Sequence, residues 1–132
     1  MIGWILAVLG LFVVQTLLPN ATRAASGGAE QRAYLKGARD VEPPHTVMSG
    51  RMARALTNMF EALVVFLPLA VLAVATGRAE GWATLGAAVF FFARVAYIPA
   101  YASGIVPVRS AVWGIGHAGL VMMVVGLLVA GG

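Results

Sequence analysis

Cysteine is missing from all 132 residues. Without a thiol there is no disulfide framework, no thiolate metal site and no cysteine nucleophile to assign. Histidine is almost as scarce. His45 and His117 lie far apart, and neither has a second ligand at metal-site spacing, so no metal ion is expected. No basic residue precedes the first apolar run and no small-x-small cleavage site follows it, which favours a retained first helix over a cleaved signal peptide. Charge is thin, at 11% of residues, with a net of +4. What fills the chain instead is apolar: 61% of residues are hydrophobic, against about 45–50% in a globular domain. The composition is that of an integral membrane protein, and no nucleic-acid partner is expected.

Four spans are expected in an all-α, up-down bundle forming a single membrane domain over residues 1–132, with helices at about 2–18, 47–75, 80–101 and 108–129. The run from Ile2 to Leu18, about 17 residues, is just long enough to cross the hydrocarbon core, and Pro19–Asn20 is expected to end it. Residues 20–46 form the one polar connection, bounded by Ser26–Gly27–Gly28 and Pro43–Pro44, and its charges read as a solvated loop beside lipid headgroups. The second span starts near Thr46–Ser49, with Ser49 a candidate N-cap, and passes through Pro68. Ala79–Glu80–Gly81 turns into the third span, whose small residues Gly86, Ala87 and Ala88 permit close packing. Lysine and arginine concentrate on the side of the 20–46 loop, so that side is expected to be cytoplasmic and both termini to face outward.

Two polar stripes interrupt this apolar plan. Arg54, Asn58 and Glu61 stand at i, i+4 and i+7 on the second span, with Arg51 one turn below. Arg94, Tyr97 and Tyr101 stand at i, i+3 and i+7 on the third, and Arg109–Ser110 opens the fourth. Up-down connectivity brings all of them to one end of the bundle. Each charge in mid-span costs about 2.5–3.5 kcal/mol unless it is paired or solvated. An internal ion-pair network, Glu61 with Arg54 or Arg94, is one account; yet four arginines face one carboxylate, an excess of about three charges. Guanidinium groups grip carboxylate or phosphate in bidentate fashion, so the stripes suit an anion with more than one acidic group, and Glu61 suits an ammonium on the same ligand. Tyr97, Tyr101 and Ser110 can donate to a developing thiolate or oxyanion. His117, among Gly114, Gly116 and Gly119, reads as a helix contact; Trp4, Trp82 and Trp113 read as interfacial anchors, and His45 as a loop residue.

The combination Arg51-x-x-Arg54-Ala55-x-x-Asn58-x-x-Glu61, then Arg94-Val95-Ala96-Tyr97-x-x-x-Tyr101, then Pro107-x-Arg109-Ser110, resembles the MAPEG family, the membrane-associated proteins of eicosanoid and glutathione metabolism. Gly37–Ala38–Arg39–Asp40 is similar to the loop of its small bacterial branch, which implies a bacterial inner membrane. The resemblance implies a homotrimer of four-helix bundles binding glutathione between subunits near the cytoplasmic face. It further implies a glutathione transferase or peroxidase acting on lipophilic electrophiles at a helix 1–helix 4 cleft, with membrane lipids and a lipophilic small molecule as partners. Carried over, Arg54, Asn58 and Glu61 match tripeptide-holding positions, Arg94 and Tyr101 match third-helix contacts, and Arg109 with Ser110 matches the thiolate-stabilising position. The chain departs from the family at Thr57, where other members carry an arginine that Arg51 could replace, at Tyr97, where some carry histidine, and at Val65, where a proline is common. Because the family includes a non-catalytic lipid-binding member, the alternative is a membrane lipid-binding or scaffold protein of the same fold.

Overall fold

The computed structural model describes residues 1–129; the last three positions of the expected 1–132 domain lie outside the described residues. Five helices follow one another: α1 (Ile2–Ser26), α2 (Ala29–Lys36), α3 (Val47–Ala75), α4 (Gly81–Ser103) and α5 (Val106–Val129). No strand occurs among the described residues. Four of these helices, α1, α3, α4 and α5, are long and apolar enough to cross a membrane, and the chain is an integral, multi-pass membrane protein.

The bundle is built from two pairs. Helix α1 packs along α3, and α4 packs along α5. The second pair is the closer because glycine faces glycine: a methyl on Gly119 would lie 2.7 Å from the Gly86 carbonyl oxygen and 2.8 Å from the Phe90 nitrogen. The two pairs meet where Phe66 of α3 stacks on Phe90 of α4 with ring centroids 4.6 Å apart, surrounded by the buried Val8, Met59, Leu63 and Met123. Exposed valines and leucines cover much of the outer surface, as lipid contact requires.

Three expectations about the elements need correction. Pro19 does not end the first helix, which runs on to Ser26. Proline removes only the backbone bond to the Gln15 carbonyl, and the turns after it continue unbroken, with the Thr22 hydroxyl adding a bond to the Leu18 carbonyl at 2.6 Å. The α3 N-cap is Thr46 rather than Ser49: the Thr46 hydroxyl accepts from the Ser49 amide at 3.1 Å. The 20–46 connection is not simply solvated. It contains α2, and Arg23, only 1% exposed, reaches from α1 into it. There the Arg23 guanidinium donates to Glu42 Oε1 at 2.6 Å, His45 Nδ1 at 2.8 Å and the Pro43 carbonyl at 3.3 Å, and it lies 5.0 Å over the Tyr34 ring. Ser26 and Thr46 hydroxyls meet at 2.9 Å, and Gln31 donates to the Pro44 carbonyl at 2.7 Å. A strap is thereby tied across the start of α3.

Helix α3 has 29 residues, roughly 44 Å at 1.5 Å per residue, against about 30 Å of hydrocarbon. Its polar first turns, with Arg51 and Arg54, therefore have room to project into the headgroup layer. Asn58 and Glu61, one and two turns further on, stand closer to the hydrocarbon.

Candidate functional site

The helical spacing of Arg54, Asn58 and Glu61 puts their side chains on one wall of an open cavity of about 710 Å³. Tyr97 and Tyr101 of α4 and Arg109 and Ser110 of α5 supply the facing walls. Seven of the nine sequence-derived site residues come together here. Tyr101 sits at the centre of the positive charge: its hydroxyl accepts from Arg54 Nε at 3.3 Å, and its ring lies 5.9 Å from the Arg54 and 5.0 Å from the Arg109 guanidinium carbon. Tyr97, 4% exposed, meets Tyr101 edge to face at 5.6 Å. Among the described residues no ion pair joins Glu61 to Arg54, Arg94 or Arg109, so the internal ion-pair account does not describe this site.

The other two residues take different positions. Arg51 is absent from the cavity wall. Its Nη1 donates to the Ala102 carbonyl at 2.7 Å, satisfying one of the free oxygens at the end of α4, and its guanidinium packs against Gly104, whose φ of 73° closes that helix in the left-handed conformation. Replacement of the missing arginine at Thr57 by Arg51 is therefore not seen. Thr57 itself lines the cavity, and its hydroxyl donates to the Ala53 carbonyl.

Arg94, 2% exposed, stands behind Asn58, donating from Nη1 to Asn58 Oδ1 at 2.7 Å. A guanidinium only donates, so Asn58 must turn its oxygen to Arg94, leaving its NH₂ free for other partners. The Arg94 charge lies 5.2 Å from both the Phe90 and Tyr97 rings, and Nε and Nη2 have no hydrogen-bond partner. Arg94 lines a second cavity, about 350 Å³, that is mostly apolar and shares Asn58, Glu61 and Trp113 with the first.

Trp113 and Gly114 are site residues that composition-level reading assigned elsewhere. Arg109, Trp113 and His117 fall at i, i+4 and i+8, a spacing that could have placed Trp113 beside the arginine. The indole packs against His117 at a tilt of 31°, with centroids 3.7 Å apart, and His117 Nδ1 lies 3.0 Å from the Trp113 carbonyl oxygen.

A cavity with two arginines, one carboxylate and four hydroxyls on its walls can hold a ligand carrying several acids and an amine. The MAPEG family model matches residues 1–129, nearly the whole chain. The chain belongs to the MAPEG family. No curated protein and no solved structure matches it. Membership makes the MAPEG chain a membrane protein of glutathione-related chemistry in general terms, and the family's four-span architecture agrees with α1, α3, α4 and α5. No group of three or more histidine, aspartate or glutamate side chains able to hold a metal occurs among the described residues.

Proposed function

We propose that the protein is a membrane glutathione transferase or peroxidase acting on lipophilic electrophiles, built as one membrane domain. The observation that carries this reading is the uncompensated positive charge of Arg54 and Arg109 around Tyr101 in the larger cavity, with Glu61 as the one carboxylate on its wall. Glutathione offers two carboxylates for the guanidinium groups, an ammonium for Glu61 and a thiol. Arg54, Asn58, Glu61, Tyr97 and Tyr101 hold the tripeptide, Arg94 sets the orientation of Asn58, and Arg109 with Ser110 faces the sulfur. A cation beside a thiol favours the thiolate, which is the nucleophile.

The same reading includes a homotrimer whose subunits share the cavity, with the loop end cytoplasmic and the termini periplasmic in a bacterial inner membrane. Glu61 and Thr57 are exposed on a single chain, and a carboxylate left on the lipid face of a span is costly. A neighbouring copy removes that cost. Thr57 on the cavity wall, where an arginine is common in the family, supports the rival reading of a lipid-binding or scaffold protein.

Isothermal titration of the detergent-solubilised protein with glutathione, alongside an electrophile-conjugation assay, tests the proposal. Saturable binding and the short-wavelength ultraviolet absorbance of a thiolate are expected. No heat at millimolar glutathione, with phosphate-bearing lipid co-purifying, would give the site to lipid instead.

A further inference from the structure

The stripe of Arg54, Asn58 and Glu61 on α3 has one more position at its polar end, and that position carries no side chain. Gly50 stands four residues before Arg54, on the same face, and is buried. Glycine in a helix interior is less stable than alanine, so its presence asks for a reason. Backbone conformation does not supply one. Gly50 lies past the Thr46 cap, its amide donates to the Thr46 carbonyl at 2.9 Å, and it is not among the residues with positive φ.

What the missing Cβ leaves is room. A methyl built on Gly50 would lie 3.3 Å from Arg54 Nη1 and 3.5 Å from the His45 Cβ. The second distance is an ordinary contact between carbons; the first is tighter, so Arg54 is the neighbour that needs the space. Side chains on a helix lean toward its N-terminus, which carries the arginine back over the preceding turn. With nothing projecting from Gly50, the guanidinium lies down on α3, and there Nε donates to the Tyr101 hydroxyl at 3.3 Å. A guanidinium has five N–H groups and this contact uses one, so the others are left for a ligand. A long side chain that is ordered before the ligand arrives loses less freedom on binding, which raises affinity without any new contact.

Resting on the glutathione reading above, we propose that Gly50 is a positioning residue for Arg54: the absent side chain seats the guanidinium on α3 beside Tyr101, from where it grips a carboxylate of the tripeptide. Gly50 itself lines neither of the two cavities and acts only through Arg54. A side chain there lifts the guanidinium off the helix toward the headgroup layer, and the carboxylate clamp loosens while the fold stays intact.

The test is a double-mutant cycle on the full chain in detergent. Wild type, Gly50→Ala, Arg54→Lys and the two together are each titrated with glutathione by calorimetry and melted in a thermal scan. Gly50→Ala is expected to melt no lower than wild type, since alanine is the better helix former and the close neighbour is the end of a flexible side chain. Its glutathione affinity should fall by roughly threefold to tenfold. A glycine kept only for packing would give the opposite pattern, a lower melting temperature with affinity per folded molecule unchanged. Arg54→Lys binds more weakly by itself, because an ammonium has no fork, and adding Gly50→Ala to it should change affinity by less than about twofold. Unchanged affinity in Gly50→Ala overturns this inference alone. So does an equal loss in both backgrounds, which would route the effect through His45 instead of Arg54. A wild type that binds no glutathione overturns the glutathione reading and this inference together.

Discussion

Arg23 and the Arg54–Arg94–Arg109 group are the same residue type in one small membrane bundle, yet their surroundings are opposite. Arg23 is held internally: a carboxylate, an imidazole nitrogen and a backbone carbonyl accept from its two terminal nitrogens, and a tyrosine ring lies against its charge. The second group faces one unpaired carboxylate, a tyrosine hydroxyl and two cavities, and leaves two buried donors unmet. An arginine whose partners are all internal ties the chain to itself. An arginine with donors left over is open to a partner from outside the chain. Arg51 belongs with Arg23 in this division, since its donor goes to the end of α4.

Substitutions can break or sharpen that contrast. The largest effect is expected at Arg109→Ala, with conjugation falling roughly 100-fold or more while the melting temperature barely moves, read from turnover and a thermal scan on the same preparation. Arg54→Ala should follow, weakening glutathione binding by roughly ten- to thirtyfold in a calorimetric titration, again with little change in stability. If either variant instead unfolds the protein while leaving ligand binding intact, the two groups of arginines are not different in kind. Arg23→Ala should do the reverse: it removes the tie between α1 and the strap and lowers stability by about 1–2 kcal/mol, with glutathione affinity per folded molecule unchanged. Hydrogen exchange should rise across residues 37–46 in that variant. Arg51→Met is the mildest, costing about 1 kcal/mol by freeing the Ala102 carbonyl, visible as faster exchange at the end of α4.

Much of this was legible before any coordinates. Four apolar runs of spanning length and the i, i+4, i+7 spacing of Arg54, Asn58 and Glu61 follow from periodicity, which depends only on helix geometry. Helix ends were less legible. Pro19 is a local stop signal, and it was outweighed by the docking of Arg23, a contact some twenty residues away in sequence. Trp113 has the same ambiguity, since an aromatic near a span end serves as an interfacial anchor or a cavity wall depending on which way the helix is turned.

Composition and spacing by themselves determined that this chain crosses a membrane four times, that it collects positive charge at one end, and that it has no cysteine thiol to use. Those conclusions need only the cost of burying polar groups and the pitch of a helix. Which arginines are satisfied was decided by tertiary structure alone. Hydrogen bonding acts over about 3 Å and depends on how α1, α3, α4 and α5 are rotated against one another. That rotation closes a strap over Arg23 and opens two cavities beside Arg54, Arg94 and Arg109.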